Sequence, residues 1–262
     1  MNVGFIGAGN MGGALASAIS ANKEIKVYIY DKDEEKSKNL ASKVGADAVD
    51  LEAVLSCSDF IFLGVKPNVI CGLCDEIGKR VNKTAVLISM AAGVKIAKIE
   101  EALAAPLSVI RIMPNTPVAV RAGLTAYSLG GAVKKSEEDD FLKIMSYTGA
   151  TVKLDEQNID SFCAIAGCGP AYAYMFIDAL AKGGEACGIP RDQAITYAAK
   201  MMQGAALMAL GPDDDPETLA KNVCSPGGAT IEGVKVLNNG GFGDLVSDAI
   251  KAAYKRTLEL GK

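Results

Sequence analysis

Two glycine-rich runs and one carboxylate are the parts of this chain whose spacing suggests chemistry. The first run, Ile6-Gly7-Ala8-Gly9-Asn10-Met11-Gly12, follows the apolar segment VGFI and leads straight into ALASAIS. This order reads as strand, tight turn and helix start. In such a turn the first glycine permits the sharp reversal and the second lets a diphosphate approach the backbone. The third brings the helix close to its strand. The diphosphate would rest on N–H groups at a positive helix terminus. Asp31 ends the next apolar segment, 24 residues beyond Gly7. A carboxylate there accepts hydrogen bonds from ribose hydroxyls and repels a 2′-phosphate, which favours NAD over NADP. Lys32 beside it offsets part of that repulsion, and Asp31 or Asp33 could equally cap the following helix. The second run is Asn222-Val223-Cys224-Ser225-Pro226-Gly227-Gly228-Ala229-Thr230-Ile231-Glu232-Gly233. Successive N–H groups entering a helix form a cradle for a small anion such as a carboxylate. Ser225 and Thr230 add hydroxyls. An ordinary capped helix start is the alternative, although two adjacent glycines exceed what a cap requires.

In an open α/β sheet, ligands sit beyond the carboxyl ends of the strands, so the residues that follow each apolar segment matter. Gly64-Val65-Lys66-Pro67 follows the third, and Pro67 imposes an extended geometry on Lys66. Ser89-Met90-Ala91-Ala92-Gly93 follows the fourth, and its small side chains would let a flat ring lie against the backbone. Met113-Pro114-Asn115-Thr116-Pro117 follows the fifth. Asn115 is fit to bond a cofactor or to brace this loop. Arg111 could bind a carboxylate or form a structural ion pair. The chain contains no histidine, so imidazole acid–base and imidazole-ligated metal chemistry are excluded. Of the seven cysteines, Cys71 and Cys74 form a C-x-x-C without the further ligands of a zinc site. They are expected to be small buried or partly buried thiols in a reducing compartment.

These groups must be positioned by two differently built regions. Up to about residue 154, strand-like segments (3–7, 26–31, 59–65, 84–89 and 107–113) alternate with helical ones such as DEEKSKNLASKV and KIAKIEEALA. The strands are continuous apolar runs, as in a parallel sheet buried on both faces, so a doubly wound α/β fold is expected. GLTAYSL and ATVKL could extend the sheet at one edge. From about Asp155 the strand signals stop, and Ala-, Gly- and Met-rich helical segments follow. Pro170 should kink or break the first of them, whereas Pro190 and Pro216 suit helix starts. The stretch 195–210 is apolar on nearly all faces and requires burial, which predicts a second subunit packed against it; a monomer whose first domain covers these helices is the alternative. The net charge of −4 is interspersed, and no basic stripe suggests nucleic acid. No apolar run reaches the roughly 18 residues expected of a bilayer span, and a strand expected from the N-terminus leaves no space for a signal peptide. A cytoplasmic protein is expected.

The motifs GFIGAGNMG, GVKP, AAGV, RIMPNTP, GPAY and above all SPGGATIEG, in this order, resemble the pyrroline-5-carboxylate reductase family over residues 2–258. The resemblance implies NAD(P)H-dependent reduction of the C=N bond of 1-pyrroline-5-carboxylate to L-proline, the last step of proline biosynthesis. It also implies a Rossmann domain (1–155), then a helical dimerisation and substrate-binding domain (156–262), with homodimers gathering into decamers. The cofactor would touch Ile6, Gly7, Ala8, Gly9, Asn10, Met11, Gly12, Lys66, Pro67, Ala91, Ala92, Gly93 and Asn222, with Asp31 tilting the choice toward NADH. The substrate carboxylate would meet Ser225, Gly227, Gly228, Ala229 and Thr230, and Glu156 would lie near the substrate ring. No metal is implied. The chain departs from the family pattern at Ala166 and Cys168, which replace serines, and at Asp31, where NADP-using members carry Ser, Thr or Arg. A β-hydroxyacid dehydrogenase shares the two-domain plan but needs a lysine and an asparagine where Ala173 and Phe176 stand. A non-catalytic NAD(H) sensor would not need the second glycine-rich cradle.

Overall fold

A computed structural model describes residues 1–103, 105–211 and 215–261. Ala104 and Lys262, at the ends of expected helical segments, lie outside the described residues. The chain divides into two compact units, 1–170 with 252–262, and 171–251. This division does not coincide with the boundary expected at 155/156. Residues 156–170 and the last turns of the chain are tied to the first unit by buried polar and backbone contacts described below.

The first unit is built on an eight-stranded sheet. Its strands are β1 (Asn2–Ile6), β2 (Lys26–Tyr30), β3 (Asp47–Ala48), β4 (Phe60–Leu63), β5 (Val86–Ser89), β6 (Ser108–Met113), β7 (Gly123–Leu129) and β8 (Gly149–Lys153), in the order β3-β2-β1-β4-β5-β6-β7-β8. The helices are α1 (Asn10–Ile19), α2 (Glu34–Val44), α3 (Leu51–Cys57), α4 (Pro67–Ile77), α5 (Ile96–Leu103), α6 (Lys135–Met145) and α7 (Ile159–Phe162). Side-chain parity sorts the core. Phe60 and Phe62 point with Val3, Phe5, Ile88 and Ile110 toward α1 and α6. Ile61 and Leu63 point with Leu87 and Val109 toward α3, α4 and α5. Both faces are thus covered, which is why β4, β5 and β6 read as unbroken apolar runs. The outer strand β2 alternates instead, because only the two-residue β3 lies beyond it. β3 and α3 escape a sequence reading, being two and seven residues long.

The sheet is not parallel throughout. β7 runs antiparallel to β6, and β8 pairs parallel with β7. Between β6 and β7 lies only the 3-10 turn Thr116–Val120 with its flanks, too short for the helical crossover that a parallel return requires.

Beyond α7 the chain makes a π-helical turn, Cys163–Gly167, before α8 (Gly169–Ala186). Pro170 thus sits in the first turn of a new helix, where its missing N–H does no harm, and the break precedes it. The second unit comprises the rest of α8, then α9 (Arg191–Ala209), α10 (Pro216–Val223), α11 (Ala229–Asn239) and the start of α12 (Phe242–Leu260). Phe176 packs on Phe242 with ring centroids 5.8 Å apart, and Asp178 pairs with Arg191 and Lys182. Pro190 caps α9 and Pro216 opens α10.

Two expectations are corrected here. The helical stretch Glu156–Ala186 is long and apolar enough to cross a bilayer by length and composition alone. Its beginning is nevertheless built into the first unit's core through Ile159, Cys163 and Ala164. The cysteines are all free, but Cys57 and Cys187 are exposed rather than buried.

Candidate functional site

The glycine turn lies at the carboxyl end of β1, where the strand order reverses between β1 and β4. Gly7 has φ +108°, a conformation that excludes side chains, and a Cβ there would lie 2.5 Å from the carbonyl oxygen of Gly64. A Cβ on Gly12 would strike the carbonyl of Gly7, so this glycine brings α1 against the turn. Gly9 differs, since a Cβ on it would meet nothing within 4 Å. The first and third glycines are therefore explained by protein packing, and the second keeps open space over the backbone. Gly9 is also the N-cap of α1, without any side-chain cap. Helix geometry leaves the N–H groups of Asn10, Met11 and Gly12 without in-helix acceptors. By contrast, α2, α3 and α10 are capped by Asp33, Asp50 and Asp215. The residues present fit a dinucleotide diphosphate.

Asp31 sits against this turn. Its Oδ2 accepts from the N–H of Ala8 at 2.7 Å and its Oδ1 from the N–H of Asp33 at 3.0 Å. Asp33, not Asp31, caps α2. The Ala8 amide is therefore used internally, and Asp31 shapes the turn while presenting its charge there. Lys66 is exposed and is the N-cap of α4, with Pro67 at the first helical position.

The loop after β5 is held more tightly than expected. Ala91 is buried, and its N–H donates to Ser89 Oγ at 3.3 Å. Gly93 has φ +77° and abuts the end of α12, where a Cβ would lie 2.6 Å from the N of Gly261. Asn115 is engaged at both ends of its amide. Its Nδ2 donates to the carbonyl of Ala166 at 3.1 Å, and its Oδ1 accepts from the N–H of Leu124 at 2.9 Å. The amide braces the loop.

Arg111 is fully buried on β6 and is a structural ion-pair partner. It donates to Asp160, and its Nη1 lies 3.3 Å from Glu156 Oε1. Glu156 Oε1 also accepts from the N–H of Ile96 at 2.6 Å, so this carboxylate joins α5 to the segment after β8. Asp160 is a buried partner that the sequence reading misses. A lone acid in the apolar run IDSFCAIAG was the available signal, opposite a lone arginine in SVIRIM. Burial pushes the Cys74 thiol up to about 12 and the Cys163 thiol up to about 11, so both are poor nucleophiles. Among the described residues no cluster of three His, Cys, Asp or Glu could hold a metal.

The second glycine-rich run lies in the second unit. The N–H of Gly228 donates to the carbonyl of Ser225 at 3.0 Å, closing a turn in which Gly227 has φ +72°. Gly228 then caps α11 without any side-chain cap, leaving the amides of Ala229, Thr230 and Ile231 at an open helix terminus. Ser225 and Thr230 are exposed, and Asn222 stands in the last turn of α10.

A Rossmann-type sheet carrying an open glycine turn, followed by a mostly helical region, defines a nicotinamide-dinucleotide oxidoreductase of two-domain plan. Residues 2–93 match the family model described as NADP oxidoreductase, coenzyme F420-dependent. Residues 156–260 match that described as pyrroline-5-carboxylate reductase dimerisation. The chain is 40% identical to pyrroline-5-carboxylate reductase 2 of Rattus norvegicus, covering 99% of this chain and 84% of the relative. It is 34% identical to the pyrroline-5-carboxylate reductase of Escherichia coli K12, covering 99% and 98%. The crystal structure of the Plasmodium falciparum pyrroline carboxylate reductase with NADP bound superposes with a TM-score of 0.92 at 28% identity, covering 100% and 98%. The chain belongs to the pyrroline-5-carboxylate reductase family.

Proposed function

We propose that this chain reduces the C=N bond of 1-pyrroline-5-carboxylate to give L-proline, the final step of proline biosynthesis, with NAD(P)H as reductant. One observation carries the reading. Two helices, α1 and α11, open on glycine-rich turns with no side chain over their first amides. One such terminus suits a diphosphate and the other a carboxylate, the two anions this reaction brings together.

The reduced nicotinamide supplies the hydride. The chain's own residues bind and orient. Gly7 to Gly12 hold the diphosphate, and Lys66, Pro67 and the Ala91–Gly93 loop flank the nucleotide. Ser225, the Gly227–Gly228 turn and the amides of Ala229 and Thr230 hold the substrate carboxylate. The Thr230 hydroxyl bonds the ring nitrogen and steadies its proton. A cyclic imine that arrives protonated is already electrophilic, so alignment is the main requirement and no histidine is needed. Glu156 is engaged with Ile96 and Arg111, which supports a bracing part for it rather than contact with the substrate ring. Asp31 tilts the cofactor choice toward NADH.

The working unit is a homodimer gathered into decamers. Large apolar side chains in the second unit, such as Met175 (72% exposed), Leu207 (65%) and Leu245 (70%), support an assembly that covers them. Seven free thiols suit a reducing compartment and a cytoplasmic location. The decisive assay follows NADH and NADPH absorbance on addition of pyrroline-5-carboxylate, with light scattering for the assembly. No oxidation with either cofactor, or a ligand-bound crystal structure with Ser225–Thr230 remote from the nicotinamide, refutes the reading.

A further inference from the structure

We infer that the end of α12, from Thr257 to Gly261, is a positioning element for the dinucleotide site, acting through Gly93. The inference rests on the reading that the Ala91–Gly93 loop meets the cofactor. Three observations within the first unit support it. First, Gly93 and Gly261 touch backbone to backbone. A Cβ on Gly93 would fall against the Thr257 carbonyl and 2.6 Å from the N of Gly261, and a Cβ on Gly261 would fall well inside the carbonyl of Gly93. Both positions exclude any side chain, from opposite sides of one contact. Second, the contact is anchored. Lys98 Nζ on α5 donates to the carbonyl of Gly261 at 3.1 Å, and Thr257, 4% exposed, bonds the carbonyl of Ala253 at 3.0 Å. The Thr257 hydroxyl also lies 3.9 Å from the sulfur of Cys163 in the π-helical turn. Third, Ala252–Lys262 belongs to the compact unit that holds the glycine turn, although the helix begins in the other.

The loop after β5 is held at its start by the bond from the Ala91 N–H to Ser89 Oγ, whereas Gly93 is in a left-handed conformation that other loop shapes would compete with. A rigid neighbour that fits only one shape removes those alternatives before the nucleotide arrives, which lowers the cost of binding. The end of α12 therefore fixes the cofactor loop within the first unit by packing alone. Ser225–Thr230, the proposed substrate cradle, takes no part in this contact, so the expected signature falls on the nucleotide.

Gly261→Ala forces the two backbones apart, and Lys98→Met removes the anchor without adding bulk. Expected for Gly261→Ala is at least a ten-fold rise in the NADH dissociation constant, read by fluorescence titration, with the KM for pyrroline-5-carboxylate changed less than two-fold. Lys98→Met should move the same constant in the same direction by two- to five-fold, with the melting temperature and dimer mass kept. Ala92→Asp, which places a charge in the loop itself, tests the underlying reading. If Ala92→Asp weakens NADH while Gly261→Ala and Lys98→Met leave it unchanged, the brace is refuted and the loop assignment survives. If none of the three moves the constant, both fall. A drop in melting temperature with NADH affinity intact also overturns the proposal.

Discussion

Replacing Arg111 by Met tests whether the first unit depends on a buried charge cluster. The guanidinium is fully buried, its partner Asp160 has a side chain 6% exposed, and Glu156 is 29% exposed. Methionine fills much of the volume but leaves Asp160 without its counter-ion in the interior. Breaking a buried pair by removing one partner costs about 3–5 kcal/mol. Glu156 can turn toward water and recover part of its solvation, which places the expectation near the lower end, about 3 kcal/mol. For a chain of this size each kcal/mol moves the melting temperature by roughly 2–4 °C, so a fall of about 6–12 °C is expected. The assay is thermal denaturation followed by circular dichroism at one fixed protein concentration, because association couples to apparent stability. The double variant Arg111→Met/Asp160→Leu removes both buried charges and should recover more than half the loss, since apolar replacements of buried pairs are often neutral. A single-variant shift under 2 °C, or a double variant no better than the single one, refutes the reasoning.

Other consequences can be checked directly. Thr230→Ala should lower kcat at least ten-fold with a smaller change in KM, because its contact matters most as charge moves on the ring nitrogen; steady-state kinetics with an unchanged kcat would remove Thr230 from the chemistry. Asp31→Ser removes the carboxylate beside the glycine turn and should raise kcat/KM for NADPH relative to NADH by about ten-fold; a flat ratio leaves Asp31 only its bond to Ala8. Glu138 is buried, accepts from Tyr127, and faces Lys153 and Lys135. The Lys153 hydrogen bond, foremost among these, holds its carboxyl down at about 2 against the usual 4.5. A carboxyl lowered on folding stabilises the fold above its unfolded pKa, and that contribution is lost as pH falls from about 4.5 toward 2. The full shift corresponds to about 3 kcal/mol, which screening of the exposed lysines reduces to about 1–2 kcal/mol. Urea melts between pH 6 and pH 3 should therefore fall less steeply for Glu138→Gln, and parallel curves would sink the assignment.

Features made by neighbours in the chain were legible from the sequence alone. Glycines at 7, 9 and 12 between a strand and a helix announce a tight strand-to-helix turn, because each role depends on residues a few positions away. Unbroken apolar strands announced a sheet covered on both faces, and the all-round apolar stretch 195–210 announced a missing partner. The family followed from motifs in order. The tertiary structure decided what depends on groups remote in sequence. Nothing local in SVIRIM says that Arg111 will meet Asp160, 49 residues on, rather than a ligand. Nothing in AAGV says that Gly93 is reserved for Gly261. Asp31 offered a choice between cap and ribose ligand, and the fold gave it a third partner, the amide of Ala8. Short-range order follows from propensity and periodicity, whereas the pairing of buried charges and close backbones is settled only when the sheet brings distant segments together.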